Sequence, residues 1–177
     1  MRRRSPGSAA DRPARGPRAF DGDPYTLALQ WLSARELSAR QLRQRLVRRL
    51  VAAEAIDAVI LRLRHSGVLD ESRMARAAAR LETNIKGRGP ARTRQKLRAL
   101  GLADDDIAQA IDAALADVDV ATLLDRALEK RLRREKGDVR DPAAIRRVVG
   151  ALVRQGFAPG AVLKRLRARG SDVDDSE

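Results

Sequence analysis

The sequence predicts an all-α chain of three tandem three-helix repeats in an elongated, curved arrangement, and three observations predict it. Apolar residues recur at helical spacing from Leu27 onward, with no strand-like pattern. Glycines and prolines interrupt these stretches where helices would end and start. One helix–turn–helix unit also recurs. Leu46, Leu97 and Leu152 align, followed ten residues on by Ile56, Ile107 and Val162, and four further by Ile60, Ile111 and Leu166. At the turn, Gly101-Leu102-Ala103 matches Gly156-Phe157-Ala158, and Leu50-Val51-Ala52 fills the same slots without the glycine. The copies lie 51 and 55 residues apart, and a recurring period marks a repeat architecture.

Residues 1–23 form an arm rich in Arg, Pro, Gly and Ser without periodicity, expected to be disordered. Repeat 1 spans residues 24–69. Its first helix puts Leu27, Trp31 and Ala34 on one face, and Trp31 is expected to anchor the core. Ser38-Ala39-Arg40-Gln41 is a capping box that starts the second helix, with Leu42, Leu46 and Leu50 inward and Arg40, Gln44 and Arg48 outward. Ile56, Val59, Ile60 and Leu63 make the third, which stops at Ser66-Gly67.

Repeat 2, residues 70–117, opens with Met74, Ala77, Ala78, Leu81 and Ile85 as an apolar stripe and Arg73, Arg76 and Arg80 on the polar side. Gly87 to Pro90 turns the chain into a basic helix with Leu97 and Leu100 inward. Gly101 ends it. Asp104 is expected to cap the next helix, with Asp105 and Asp106 in the first turn, where the helix dipole favours them. Repeat 3, residues 118–170, begins with a long helix from about Val120 to Lys136, striped by Val120, Leu124, Leu128 and Leu132 and broken at Gly137-Asp138. Asp141-Pro142 starts the next helix, with Ile145, Val148, Val149 and Leu152 on its apolar face. A last helix after Gly156-Phe157-Ala158-Pro159 runs to about Arg169. Residues 171–177 form an acidic tail.

Composition bounds the function. Apolar residues are 44% of the chain, aromatics 2% and charged residues 34%. Thin cores of that kind lean on neighbouring repeats, as in solenoids. The absence of Cys excludes disulfides and thiolate metal sites. No apolar run is long enough to span a membrane. The N-terminal arginines have no apolar segment behind them, so a secretory signal is not expected, and a soluble cytoplasmic protein is.

No constellation suggests catalysis or a cofactor. His65 is the sole His, without a nucleophile or metal ligand nearby in sequence. Asp104, Asp105 and Asp106 are consecutive and lack the alternation of a calcium loop. Gly87-Arg88-Gly89 follows a helix and lacks the Gly-Lys-Ser/Thr ending of a phosphate loop. What remains is charge. The net charge is +13. Residues 1–24 carry +3 and residues 171–177 carry −4, which leaves +14 on the stretch between. Such a field points to a polyanionic partner, and arginine suits bidentate contact with phosphate. The candidate contacts are the cations expected to face outward: Arg40 and Arg48 in repeat 1, Arg94 and Arg98 in repeat 2, and Arg126, Lys130 and Arg133 in repeat 3.

Four stretches carry a family resemblance: Ser38 to Leu46; Gly67-Val68-Leu69-Asp70-Glu71 with Met74-Ala75; Gly87-Arg88-Gly89-Pro90 running to Leu97-Arg98-Ala99-Leu100-Gly101; and Gly156-Phe157-Ala158. In order and spacing they resemble the RecX family, regulatory proteins of the bacterial recombinase RecA, over roughly residues 24–169. Met74 stands where that family usually has Phe, and Thr93 where an aliphatic residue is common; both are core-type slots. The resemblance implies helical repeats that bind in the groove of the RecA–single-stranded DNA filament. It implies inhibition of filament extension, ATPase, strand exchange and coprotease activity, and so a place in recombination, DNA repair and the SOS response. RecA and filament-bound single-stranded DNA are the partners it implies, with no catalytic residue to carry over. Weaker binding to bare DNA and a monomeric state are expected beside it. The residues alone leave open a stand-alone basic DNA-binding protein of helix-turn-helix type and a scaffold for an acidic protein. No set of Asn or Gln opening the basic helices stands ready to read base edges.

Overall fold

The computed structural model of the chain describes residues 20–116, 118–135 and 141–174, the side chains of 170–174 excepted. The arm before Phe20, the break at Gly137-Asp138 and the tail from residue 175 lie outside the described residues. The described chain is helical, with no strand among those residues. The elements are α1 (Pro24–Ala34), α2 (Ala39–Arg48) and α3 (Ala53–His65); α4 (Glu71–Arg80), which passes into a π-helical turn (Leu81–Ile85), then α5 (Pro90–Leu100) and α6 (Asp104–Leu115); and α7 (Val120–Leu132), α8 (Pro142–Gln155) and α9 (Pro159–Asp174). Each set of three surrounds a small apolar core of its own.

The aligned leucines are those cores' centres. Leu46, Leu97 and Leu152 are fully buried, as are Ile56, Ile107 and Val162. Five helix starts are fixed by side-chain oxygens. Asp23 accepts from the amides of Tyr25 and Thr26, Ser38 and Gln41 close a reciprocal capping box, and Asp70, Asp119 and Asp141 cap α4, α7 and α8. The ends of the second helices share one geometry. Leu50, Gly101 and Gly156 all take the left-handed conformation, with φ of 59°, 82° and 103°. Their amides donate to the carbonyls of Val47, Arg98 and Val153 at 2.9 Å in each case. Leu50 is therefore an exposed turn residue and not an inward one, because its place is the cap position and not the helix face.

Five other expectations are corrected. The apolar stripe of α4 does not stay inside. Met74, Ala75 and Ala79 are buried, but the core face then passes to Glu82 and Thr83, while Ile85 is 77% exposed. The inward face lies one residue along from the expected stripe: Ala75, Ala79 and Glu82 are themselves at helical spacing, and only after them does the amide of Lys86 reach back to the carbonyl of Leu81 in a π turn. Asp104 does not cap α6. Ala103 holds the cap position without a side-chain bond, and Asp104, Asp105 and Asp106 all sit in the first turn. Helix α7 stops at Leu132, where the amides of Arg134 and Glu135 turn to carbonyls three residues back, and the Glu135 carboxylate then accepts from Arg131 at 3.3 Å and from Arg147 of α8 at 2.8 Å. Helix α9 continues to Asp174, past the expected end near Arg169. On α1, Ala34 is exposed and Ala28 takes its inward place, while Trp31 lies half-buried at the core's edge beneath the Arg45 guanidinium, 5.4 Å from the ring centre.

Candidate nucleic-acid interface

The second helix of each repeat contains cations and no carboxylate. Helix α2 carries Arg40, Arg43, Arg45 and Arg48; α5 carries Arg92, Arg94, Lys96 and Arg98; α8 carries Arg146, Arg147 and Arg154. Each helix buries one narrow stripe, Leu42 and Leu46, Thr93 and Leu97, or Ala144, Val148 and Leu152, and leaves its cations on the other faces.

These helices meet start to end. At the first junction the Ser38 hydroxyl donates to the carbonyl of Leu100 at 2.6 Å, so the start of α2 closes on the end of α5. At the second, the amide of Gly89 donates to the carbonyl of Gln155 at 3.0 Å and that of Ala91 to Gly156 at 3.3 Å. The Gln155 amide returns a bond to the carbonyl of Gly87 at 2.7 Å. Ser38 and Gly89 are equivalent positions, as are Leu100 and Gln155, so one junction is built twice. Helix ends leave carbonyls and amides without intrahelical partners, and here the ends of neighbouring repeats satisfy each other. The approach requires Gly89: a Cβ there would run into the carbonyl of Gly156. A Cβ on Gly101 would stand 2.5 Å from Cδ of Arg40.

A buried carboxylate steadies the second junction. Glu82 is 1% exposed and accepts from Lys86 at 2.8 Å and from Arg88. Its own carbonyl takes the Arg88 amide at 2.9 Å. Burial pushes the Glu82 carboxyl up, but the Lys86 bond and the charges of Arg88 and Lys86 outweigh it and hold it below the usual range. Sequence reading missed Glu82, since a Glu beside Leu81 reads as the polar side of a helix.

The seven candidate residues fall into three groups. Arg40, Arg48 and Arg94 are exposed on the second helices and have no carboxylate partner among the described residues. Arg98 lies on the same series but is tied to Asp104 at 2.8 Å, which holds the Asp104 carboxyl low and the guanidinium high. Arg126, Lys130 and Arg133 gather with Arg134 around Glu129 on the exposed side of α7, a separate cluster. Lys96, Arg146 and Arg154 were missed. The repeat alignment could have found two of them, because it brings Arg40 onto Arg146 and Arg48 onto Arg154. Other cations are already engaged: Arg43 by Asp57, Arg147 by Glu135, Arg45 by Trp31. Among the described residues no group of three His, Cys, Asp or Glu could hold a metal ion, and no helix is long and apolar enough to cross a membrane.

Known proteins share this arrangement. Residues 25–63 match the family description "RecX, first three-helix domain", and residues 70–111 match "RecX, second three-helix domain". Regulatory protein RecX of Halorhodospira halophila is 34% identical over 148 residues, covering 84% of this chain and 88% of that protein. Its counterpart in Geobacillus kaustophilus is 28% identical over 153 residues, and this chain spans 56% of that protein's length. The crystal structure of RecX from Lactobacillus salivarius superposes with a TM-score of 0.70 at 18% identity, covering 82% of this chain and 95% of that one, which establishes the shared fold. With the helical repeat, its turns and the extent of the identity in agreement, the chain belongs to the RecX family of regulatory proteins.

Proposed function

We propose that this protein is a non-enzymatic regulator that binds the RecA–single-stranded DNA filament in the cytoplasm and restrains filament extension, ATPase, strand exchange and coprotease activity. Family membership supports the regulatory part of that reading. The observation that carries the polyanion part is the series α8, α5, α2: three helices without a carboxylate, joined start to end, each with exposed cations. A filament presents phosphates at repeated intervals, and a protein that follows it needs cations at repeated intervals too. Repeats 24–69, 70–117 and 118–170 would each contribute one second helix, with the α7 cluster beside the third.

The test is inhibition of RecA ATPase on single-stranded DNA at low ratios of this protein to RecA, with co-sedimentation on preformed filaments. Inhibition well below the amount needed to coat the DNA is the expected result. Inhibition that appears only at coating amounts would reduce the function to competition for bare DNA, as a stand-alone helix-turn-helix protein would compete.

A further inference from the structure

The two junctions use equivalent positions but differ in contact, since the Ser38 hydroxyl makes the first and the backbone amides of Gly89 and Ala91 make the second. At the first, the Arg40 side chain lies across Gly101, and Arg64 and Glu71 make the remaining hollow polar. At the second, Arg92 and the Gly89 carbonyl lie against Gly156, and Ala91, at the position of Arg40, offers only a short side chain to the wall of a hollow beside them. The hollow forms a groove of about 730 Å³ between repeats 2 and 3. Its walls are apolar, including Ala91, Val120, Val153, Phe157 and Ala161, and both valines are more than a third exposed. Its charged lining residues are Arg94, Lys164 and Arg165, with no carboxylate among the described residues of the lining. Arg165 pairs with Asp125 at 3.3 Å, while Arg94 and Lys164 have no carboxylate partner among the described residues.

An exposed apolar groove marks an interaction site, and its rim states the charge of the partner. Nucleic acid fits the walls poorly. Base stacking needs an accessible aromatic face, and the one aromatic here, Phe157, is buried at 3% exposure. Aliphatic walls between cationic rims instead match an amphipathic segment whose apolar residues enter the groove while carboxylates meet Arg94 and Lys164. We infer that the groove between repeats 2 and 3 is a docking site for an acidic, amphipathic peptide segment of a partner protein. The site shares Arg94 with the second-helix series but is otherwise built from residues that series does not use, and it does not depend on RecA being the partner.

The experiment uses this protein alone and a fluorescein-labelled peptide with Leu at i, i+3, i+4 and i+7 and Glu elsewhere, read by anisotropy. Control peptides replace Leu by Ser, or Glu by Lys. Binding of the Leu–Glu peptide and not of either control is expected. Ala91→Leu and Ala161→Leu fill the groove without changing charge and should each weaken that peptide about tenfold while binding of oligothymidylate stays unchanged. The fold tolerates a longer side chain at position 91, since the equivalent Arg40 carries one, and helicity and melting of both variants are checked. Equal binding of the Ser peptide, wild-type affinity in both filled variants, or displacement of the peptide by oligothymidylate at matching affinity would each overturn the assignment. None of these results bears on inhibition of RecA, which is measured separately.

Discussion

At the scale of single residues, Leu50 and Glu82 do what their chemistry least favours. Leu50 sits in the left-handed region that its two counterparts give to glycine, a conformation that costs a non-glycine residue roughly 1–2 kcal/mol. Leu50→Gly should therefore stabilise the protein by about 0.5–1 kcal/mol after the extra unfolded-state freedom of glycine is counted, measured by denaturant unfolding. Gly156→Ala should do the opposite, since its Cβ would meet Arg92 in addition to the strain at φ 103°. Glu82 exchanges hydration for Lys86 and Arg88. Glu82→Gln should cost about 1–3 kcal/mol, because the two cations it leaves are still partly wet. Its carboxyl titrates lower in the folded chain than in the unfolded one. The stability it contributes is thus complete above the usual carboxylate range and lost as pH falls through the folded value. The acid limb of the stability curve should be flatter in Glu82→Gln, and an unchanged limb would remove Glu82 from the account.

At the scale of elements, each repeat is held by a few apolar side chains at equivalent places. Leu97 is fully buried at the centre of the second core, so Leu97→Ala should cost roughly 2–5 kcal/mol, with Leu46→Ala and Leu152→Ala in the same range. Thermal unfolding followed by far-UV circular dichroism checks this, and a negligible loss at one of the three would break the equivalence. Most of these helices were legible in sequence because their signals are local: Ser38 with Gln41, Asp141 before Pro142, and Gly101 or Gly156 after the last apolar residue. The face of α4 was not legible. Met74, Ala78, Leu81 and Ile85 keep perfect helical spacing, but so do Ala75, Ala79 and Glu82 one residue on, and it is this second set that is fully buried. Periodicity alone does not select a face that carries a Glu, whose burial rests on its pairing with Lys86 and Arg88.

At the scale of the whole molecule, the order of the second helices concentrates charge. Arg48→Glu, Arg94→Glu and Arg154→Glu each reverse an exposed cation in a different repeat without touching an ion pair. Each should leave helicity unchanged and weaken binding to filaments and to bare single strands, and the effects should add approximately because the sites are far apart. The log–log salt slope on single strands should fall by about 0.7 for each phosphate contact removed. A slope that does not move would take these arginines out of phosphate contact. Arg98→Glu is the poorer probe, since it also sets two carboxylates against each other at Asp104.

By itself the sequence determined the class of fold, the repeat and its turns, and the excess of positive charge, because those depend on short-range spacing and on composition. It also placed Arg40, Arg48 and Arg94 on outward faces, since a narrow apolar stripe settles which way a helix turns. Only the tertiary structure decided which cations are free and which are spent. Arg98 meets Asp104 across a turn, Arg147 meets Glu135 of another helix, and Arg45 lies on Trp31. It alone decided that α2, α5 and α8 join end to start, with Arg40 laid across Gly101 at one junction and Arg92 against Gly156 at the other. Those outcomes depend on contacts between residues far apart in the chain, where spacing along the sequence carries no information.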